Sequence, residues 1–238
     1  MWLNKEKLSD SSIRTYRQLL KNSCPNHVVI DGFFNESKLD EVMTILHSPQ
    51  NWQTQKHTYS ALYVDDNEWS KSKNEERFVQ RDIWLRAANR SKSANTADSQ
   101  NPCLSIADDF LAFLRGDEFM SVLSRIFNVT LTDKNVADPN INTNYFRLSA
   151  SDFVKQHADD SPGREVCMLL YLNKEWESNA GGELVFLCDE EPISVLPLYN
   201  RCVLFDPSSK GSEHLVKRLC AGAADVYRYN VTSWYWSE

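Results

Sequence analysis

DFVKQHADDSPGREVCMLLYL, residues 152–172, runs from a half-polar alternating stretch through a turn of Asp, Ser, Pro and Gly into a nearly continuous apolar segment. Short apolar runs parted by such turn residues are strand signals. The same texture continues on both sides, with NYFRLS before it and GELVFL, ISVLPL, RCVLFD, EHLVKRL and VYRYNVTSWYW after it. Strands of this length at near-regular spacing predict an antiparallel sandwich or barrel.

Upstream the pattern is helical. LSDSSIRTYRQLLKN places Ile13, Tyr16 and Leu20 on one side, with Ser9 or Ser11 available as a cap. NESKLDEVMTILH offers Asn35 as a cap ahead of Leu39, Val42, Met43 and Leu46 at helical spacing. HVVIDGFF lies between the two as a short strand, and YSALYVDD and RFVQRDIWL read as strands around a polar KSKNEE loop. RAANRSKSANTADSQNP reads as a loop. From Ser105 a helix carries Ile106, Phe110, Phe113 and Leu114, and Gly116 separates it from Phe119, Val122, Leu123 and Ile126. The expected organisation is one domain over 1–238, mainly β with flanking helices, in which 1–140 form helix-rich support and outer strands and 141–238 form the core strands.

Bulk properties narrow the function. The 238 residues are 42% hydrophobic and 11% aromatic, enough to bury a core. A net charge of −7 disfavours nucleic acid as partner, because phosphate binding needs clustered Lys and Arg. No apolar run approaches the roughly 20 residues that span a bilayer, and MWLNKEKLSD lacks a signal-type apolar region. A cytoplasmic protein with no membrane partner is expected. Cys24, Cys103, Cys167, Cys188, Cys202 and Cys220 show no CxxC pair, so free thiols are expected rather than disulfides or a thiolate zinc site.

Within the opening stretch, His157 and Asp159 are two apart and so project from one face of a strand. Two such ligands need a third, and His214 in GSEHLVKRL is the only later histidine. Two histidines and one carboxylate leave three coordination positions open and suit non-heme Fe(II). A short HxD also arises at ordinary strand ends, so the pair alone does not decide. On the last strand, Arg228, Thr232 and Trp234 share one face, with Tyr227, Tyr229 and Val231 on the other. An arginine inside an aromatic, strand-lined interior demands a carboxylate, from a ligand or from the protein itself, whereas on the solvent face of the strand Arg228 would need neither.

HADD, then His214, then Arg228 in RYNVTSWYW, resembles the iron(II) and 2-oxoglutarate dependent dioxygenases, and within them the prolyl hydroxylases of the oxygen-sensing and ribosomal-protein types. REVCMLLYLNKEWESNAGGELVFL is similar to their strand, YLNKEW-type turn and Gly-Gly strand, and the likeness runs from about Asn144 to Trp236. It implies a double-stranded β-helix core of jelly-roll, cupin-like type. It implies Fe(II) held by His157, Asp159 and His214, and 2-oxoglutarate with its distal carboxylate on Arg228, assisted by Tyr171, Thr232 and Tyr145. Arg164 matches a substrate-binding position, and Trp234 would wall the cavity. Tyr145 and Trp234 read equally as core aromatics, and Arg164 as a surface charge.

The implied reaction uses O2 and couples oxidative decarboxylation of 2-oxoglutarate to hydroxylation, with ascorbate as a candidate addition. A carboxylate at 159, where Gly or Ala would free a halide position, favours hydroxylation over halogenation. The interval from His214 to Arg228, with AGAAD as its apparent insertion, is longer than in the oxygen-sensing enzymes, which leaves the substrate open. A prolyl residue in a protein or peptide is the first candidate, with VDDNEWSKSKNEER as a rim for it; a free amino acid or natural-product precursor is the second. A non-catalytic cupin-type metal-binding module is the rival of another class. Demethylases of the AlkB type carry a second arginine where this chain has Trp234. Oligomeric state is unmarked in the sequence.

Overall fold

Ser9, Asn35 and Ser105 each accept a backbone N–H from three residues ahead and so start three helices: α1 (Asp10–Asn22), α2 (Glu36–Leu46) and α4 (Ile106–Leu114). At Ser105 the Asp108 carboxylate returns the bond, completing a capping box. Each cap contributes about 1 kcal/mol. α3 (Asp66–Lys71) is a short helix capped by Asp65, and α5 (Asp117–Phe127) ends at Asn128 in the left-handed conformation. These elements come from a computed structural model, which describes residues 1–86, 105–134, 136, 138–189, 191–220 and 227–237. The expected loop RAANRSKSANTADSQNP and the AGAAD insertion lie almost wholly outside the described residues.

The strands are β1 (His27–Asp31), β2 (Trp52–Thr58), β3 (Arg77–Trp84), β4 (Leu131–Thr132), β5 (Thr143–Leu148), β6 (Phe153–His157), β7 (Arg164–Tyr171), β8 (Leu184–Phe186), β9 (Ile193–Val195), β10 (Arg201–Phe205), β11 (His214–Val216) and β12 (Arg228–Ser237). All their pairings are antiparallel. β1, β10, β7, β12, β5 and β3 follow one another in one sheet, which β2 extends through β3, while β6, β11, β8 and β9 form the other. β3 joins the two: Val79 and Gln80 pair with β6, whereas Asp82 and Ile83 pair with β5. This is the double-stranded β-helix expected from the sequence.

The larger sheet has two unlike faces. On one, α1, α2, α4 and α5 bury Ile13, Leu39, Leu46, Phe110, Phe119 and Leu123 against Tyr145, Val231 and Tyr235. Each large side chain so buried stabilises the fold by about 1.5–3 kcal/mol. The other face meets the smaller sheet around Tyr171, Leu184, Phe186 and Phe205.

One predicted strand is absent. YSALYVDD, Tyr59–Asp66, forms a turn with an isolated bridge between Thr58 and Ala61 and leads into α3, with Tyr59, Leu62 and Tyr63 exposed. The strand sits earlier, in the polar WQTQKHT. Its Gln55 and His57 are buried while polar, so the usual apolar alternation is missing from its sequence.

Candidate active site

His157 closes β6 and His214 opens β11, and the two are paired directly in register. Asp159 follows two residues beyond β6. The ligand-type atoms of these three all lie within 4.8 Å of one another. Each imidazole turns its Nδ1 to a backbone carbonyl, His157 to Lys155 and His214 to Ser212, both at 2.9 Å. That leaves both Nε2 atoms facing the carboxylate, at 3.7 Å from Oδ1 and 3.8 Å from Oδ2 of Asp159. Backbone carbonyls thus set ring orientation and tautomer, the usual support for a metal-ligating histidine.

The electrostatics suit the same use. Burial, and then His214, pull the His157 imidazole down to about 4, so it is neutral at pH 7, the form that ligates. Burial raises the Asp159 carboxyl, but His214, His157, the Trp234 indole and Arg164 outweigh it and hold the group below the ordinary carboxylate range. Trp234 donates its indole N–H to Asp159 Oδ2 at 3.0 Å, and Arg164 donates to the Asp159 backbone carbonyl. Trp234 is therefore more than a wall. Trp234→Phe removes one carboxylate bond and keeps the ring, and is expected to weaken Fe(II) affinity about tenfold, read by metal titration. Arg164 lies over the rings of Trp234 and Trp236 and holds the ligand loop.

Arg228 is 1% exposed. Its Nε donates to the Gly182 carbonyl at 2.7 Å and its Nη1 to Asn230 Oδ1 at 2.8 Å. Asn230 in turn donates to Thr232 Oγ1 at 2.9 Å, a ladder along one face of β12. Gly182, at φ +78°, is required here: a Cβ would stand 3.0 Å from Arg228 Cδ and 2.9 Å from the Trp176 ring. Arg228 Nη2 and the Tyr171 hydroxyl remain buried without hydrogen-bond partners, with the guanidinium 4.8 Å over the Tyr171 ring. Two such donors side by side fit one carboxylate. Arg228, Asn230, Thr232 and Trp234 line one cavity with His157, Asp159 and His214, so the donor set fits both Fe(II) and a dicarboxylate cosubstrate.

Tyr145 is a correction. It pairs with Val231 and shares that residue's helix-facing side; its hydroxyl donates to the Ala107 carbonyl at 2.9 Å and its ring meets Trp84. Strand alternation gives the cavity side of β5 to its neighbours, and Leu148 takes the lining place. The structure adds residues that sequence reasoning passed over: Asn230, and the β2–β3 groups Gln55, His57 and Arg81.

His57 is buried, and neither ring nitrogen is hydrogen-bonded. Burial, then Arg81 and His157, pull it down to about 4. The unfolded chain, with a histidine near 6.5, therefore binds protons first, and stability present above that pH is lost as pH falls toward the folded value. Denaturant titrations should show a loss on the order of 2 kcal/mol from this group between about pH 7 and 4.5, and a shallower acid limb in His57→Gln.

The 2OG-Fe(II) oxygenase superfamily model matches residues 143–236. Prolyl 3-hydroxylase OGFOD1 of Mus musculus is 24% identical over 127 residues, 50% of this chain and 22% of that protein. A Trichoplax adhaerens prolyl hydroxylase, solved with a hypoxia inducible factor peptide, superposes with TM-score 0.64 at 19% identity, covering 98% of this chain and 94% of that one. A Pseudomonas putida prolyl-4-hydroxylase gives 0.58 at 17%, over 95% and 99% of the two chains. A Burkholderia pseudomallei oxidoreductase of the 2OG-Fe(II) oxygenase family gives 0.59 at 14%, over 96% and 92%.

Proposed function

We propose that this chain, whose residues 143–236 match the 2OG-Fe(II) oxygenase superfamily model, is an oxygenase of that type that hydroxylates a prolyl residue of a protein or peptide, using Fe(II), 2-oxoglutarate and O2. The observation that carries the chemistry is one cavity lined by the imidazole, carboxylate, imidazole ligand set and by Arg228, whose Nη2 is buried without a partner and whose guanidinium lies over the ring of Tyr171, itself with an unpartnered hydroxyl. The prolyl preference is supported by the proteins it resembles, a prolyl 3-hydroxylase in sequence and two prolyl hydroxylases in fold.

His157 and His214 would hold the ion through Nε2 and Asp159 through its carboxylate. Arg228 Nη2 and the Tyr171 hydroxyl would take the distal carboxylate of 2-oxoglutarate. When bound, ion and cosubstrate supply O2 activation coupled to decarboxylation to succinate. The protein's own part is positional. The Arg228–Asn230–Thr232 ladder fixes the cosubstrate end, Trp234 and Arg164 fix Asp159, and the apolar wall of Leu148, Val154, Leu169 and Leu184 excludes water.

The test is turnover of protein loaded anaerobically with Fe(II) and 2-oxoglutarate and started with O2. Succinate should form slowly alone and faster with a suitable prolyl peptide, which gains the mass of one oxygen atom. Gain of that mass by free amino acids and by no peptide would move the substrate to the small-molecule class.

A further inference from the structure

The cavity holds a second guanidinium. Arg81 on β3 lines it together with the ligand triad and Arg228. Its Nε donates to Gln55 Oε1 at 3.0 Å, and its planar head stacks on Phe146, 3.4 Å from the ring centroid. Among the described residues the two terminal nitrogens make no hydrogen bond and no carboxylate stands in ion-pair contact with them; the opposite charge that acts on Arg81 most strongly is Asp159, the ligand carboxylate across the cavity. Burial lowers Arg81 to about 10, which leaves it cationic at pH 7.

Charge counting shows what this cation is not for. With Fe(II) and the 2-oxoglutarate dianion in place, the two positive charges of the ion and that of Arg228 are matched by the dianion and Asp159. Arg81 is then the one uncompensated charge among the described residues lining the cavity. A guanidinium kept half-buried and uncompensated is costly unless an anion arrives with the ligand.

A second donor lies beside it. Gln55 is the cross-strand partner of Arg81, and His57, two residues on, shares the same face. Its buried ring nitrogens lack partners, and as a neutral imidazole it has one N–H to give. The exposed Tyr63 places its ring 5.0 Å from that of His57. A planar cation plus a neighbouring N–H is a carboxylate receptor.

We propose that Arg81 and His57 form a carboxylate-binding subsite for the substrate, so that the hydroxylated residue carries, or adjoins, a free carboxylate. This rests on the cosubstrate assignment above. The group has two sources: the α-carboxylate of a free or C-terminal residue, or the side chain of an acidic neighbour in a peptide.

Protein loaded anaerobically with Fe(II) and 2-oxoglutarate is titrated calorimetrically with two probe pairs. One pair is N-acetyl-L-proline and its amide; the other is N-acetyl-Pro-Glu amide and its Gln counterpart. In at least one pair the acid should bind about tenfold tighter or more, the gain of a charge-assisted bond. Arg81→Gln should bring that pair within about twofold, and Arg81→Lys, which keeps charge but not the fork, should fall between. The pair that discriminates identifies the source. Equal affinities in both pairs, no binding of any probe, or a preference that survives Arg81→Gln would overturn the subsite. So would a tenfold loss of 2-oxoglutarate affinity in Arg81→Gln, which would give Arg81 to the cosubstrate. Wild-type protein that takes up no 2-oxoglutarate would instead bring down the cosubstrate assignment itself, and this subsite with it.

Discussion

Asp159→Ala is expected to lose Fe(II) affinity by at least about a hundredfold and to form no detectable succinate. Asp159 is the only anionic member of the triad, placed between two imidazoles whose Nε2 atoms face its two oxygens. Two neutral nitrogens cannot replace its charge, and the Trp234 N–H loses its acceptor, a cost of about 1–3 kcal/mol. Metal titration and the stabilisation gained on adding Fe(II) separate this loss from misfolding, since metal stabilises only a protein that binds it. Retained turnover in Asp159→Ala would sink the metal assignment.

Arg228→Met is expected to weaken 2-oxoglutarate by about a hundredfold or more while Fe(II) still binds. The substitution removes a buried cation with one free nitrogen and leaves the Gly182 carbonyl and Asn230 Oδ1 without their donor. Truncating one partner of a buried charged pair costs about 2–5 kcal/mol, which sets that factor. Fluorescence titration measures it directly, and a rise in KM for 2-oxoglutarate larger than the fall in kcat should accompany it. A cupin-type binding module predicts no effect, so unchanged 2-oxoglutarate affinity would favour that rival.

The helices and the core strands were legible because their signals are local. The caps at Ser9, Asn35 and Ser105 and the stripe Leu39, Val42, Met43 and Leu46 are where periodicity puts them. His157, Asp159, His214 and Arg228 stood out because polar groups in apolar strands need a reason. β2 is not marked in the sequence because its buried residues Gln55 and His57 are polar, so no apolar alternation signals a strand. Arg81 was passed over for the same cause: in VQRD it looks like any surface charge, and only cross-strand pairing with Gln55 and stacking on Phe146 turn it inward. Tyr145 failed through parity, since one residue's shift along a strand exchanges the two faces.

β12 is shared between two masters without sharing any residue. Arg228, Asn230, Thr232 and Trp234 answer to the chemistry, while Tyr229, Val231 and Tyr235 answer to the helices behind. Because alternate positions carry separate duties, mutations that retune selectivity and mutations that harden the scaffold can accumulate on one strand with little interference. That makes β12 a modular handle for engineering: even positions to change what the cavity accepts, odd positions to make the scaffold tolerate the change.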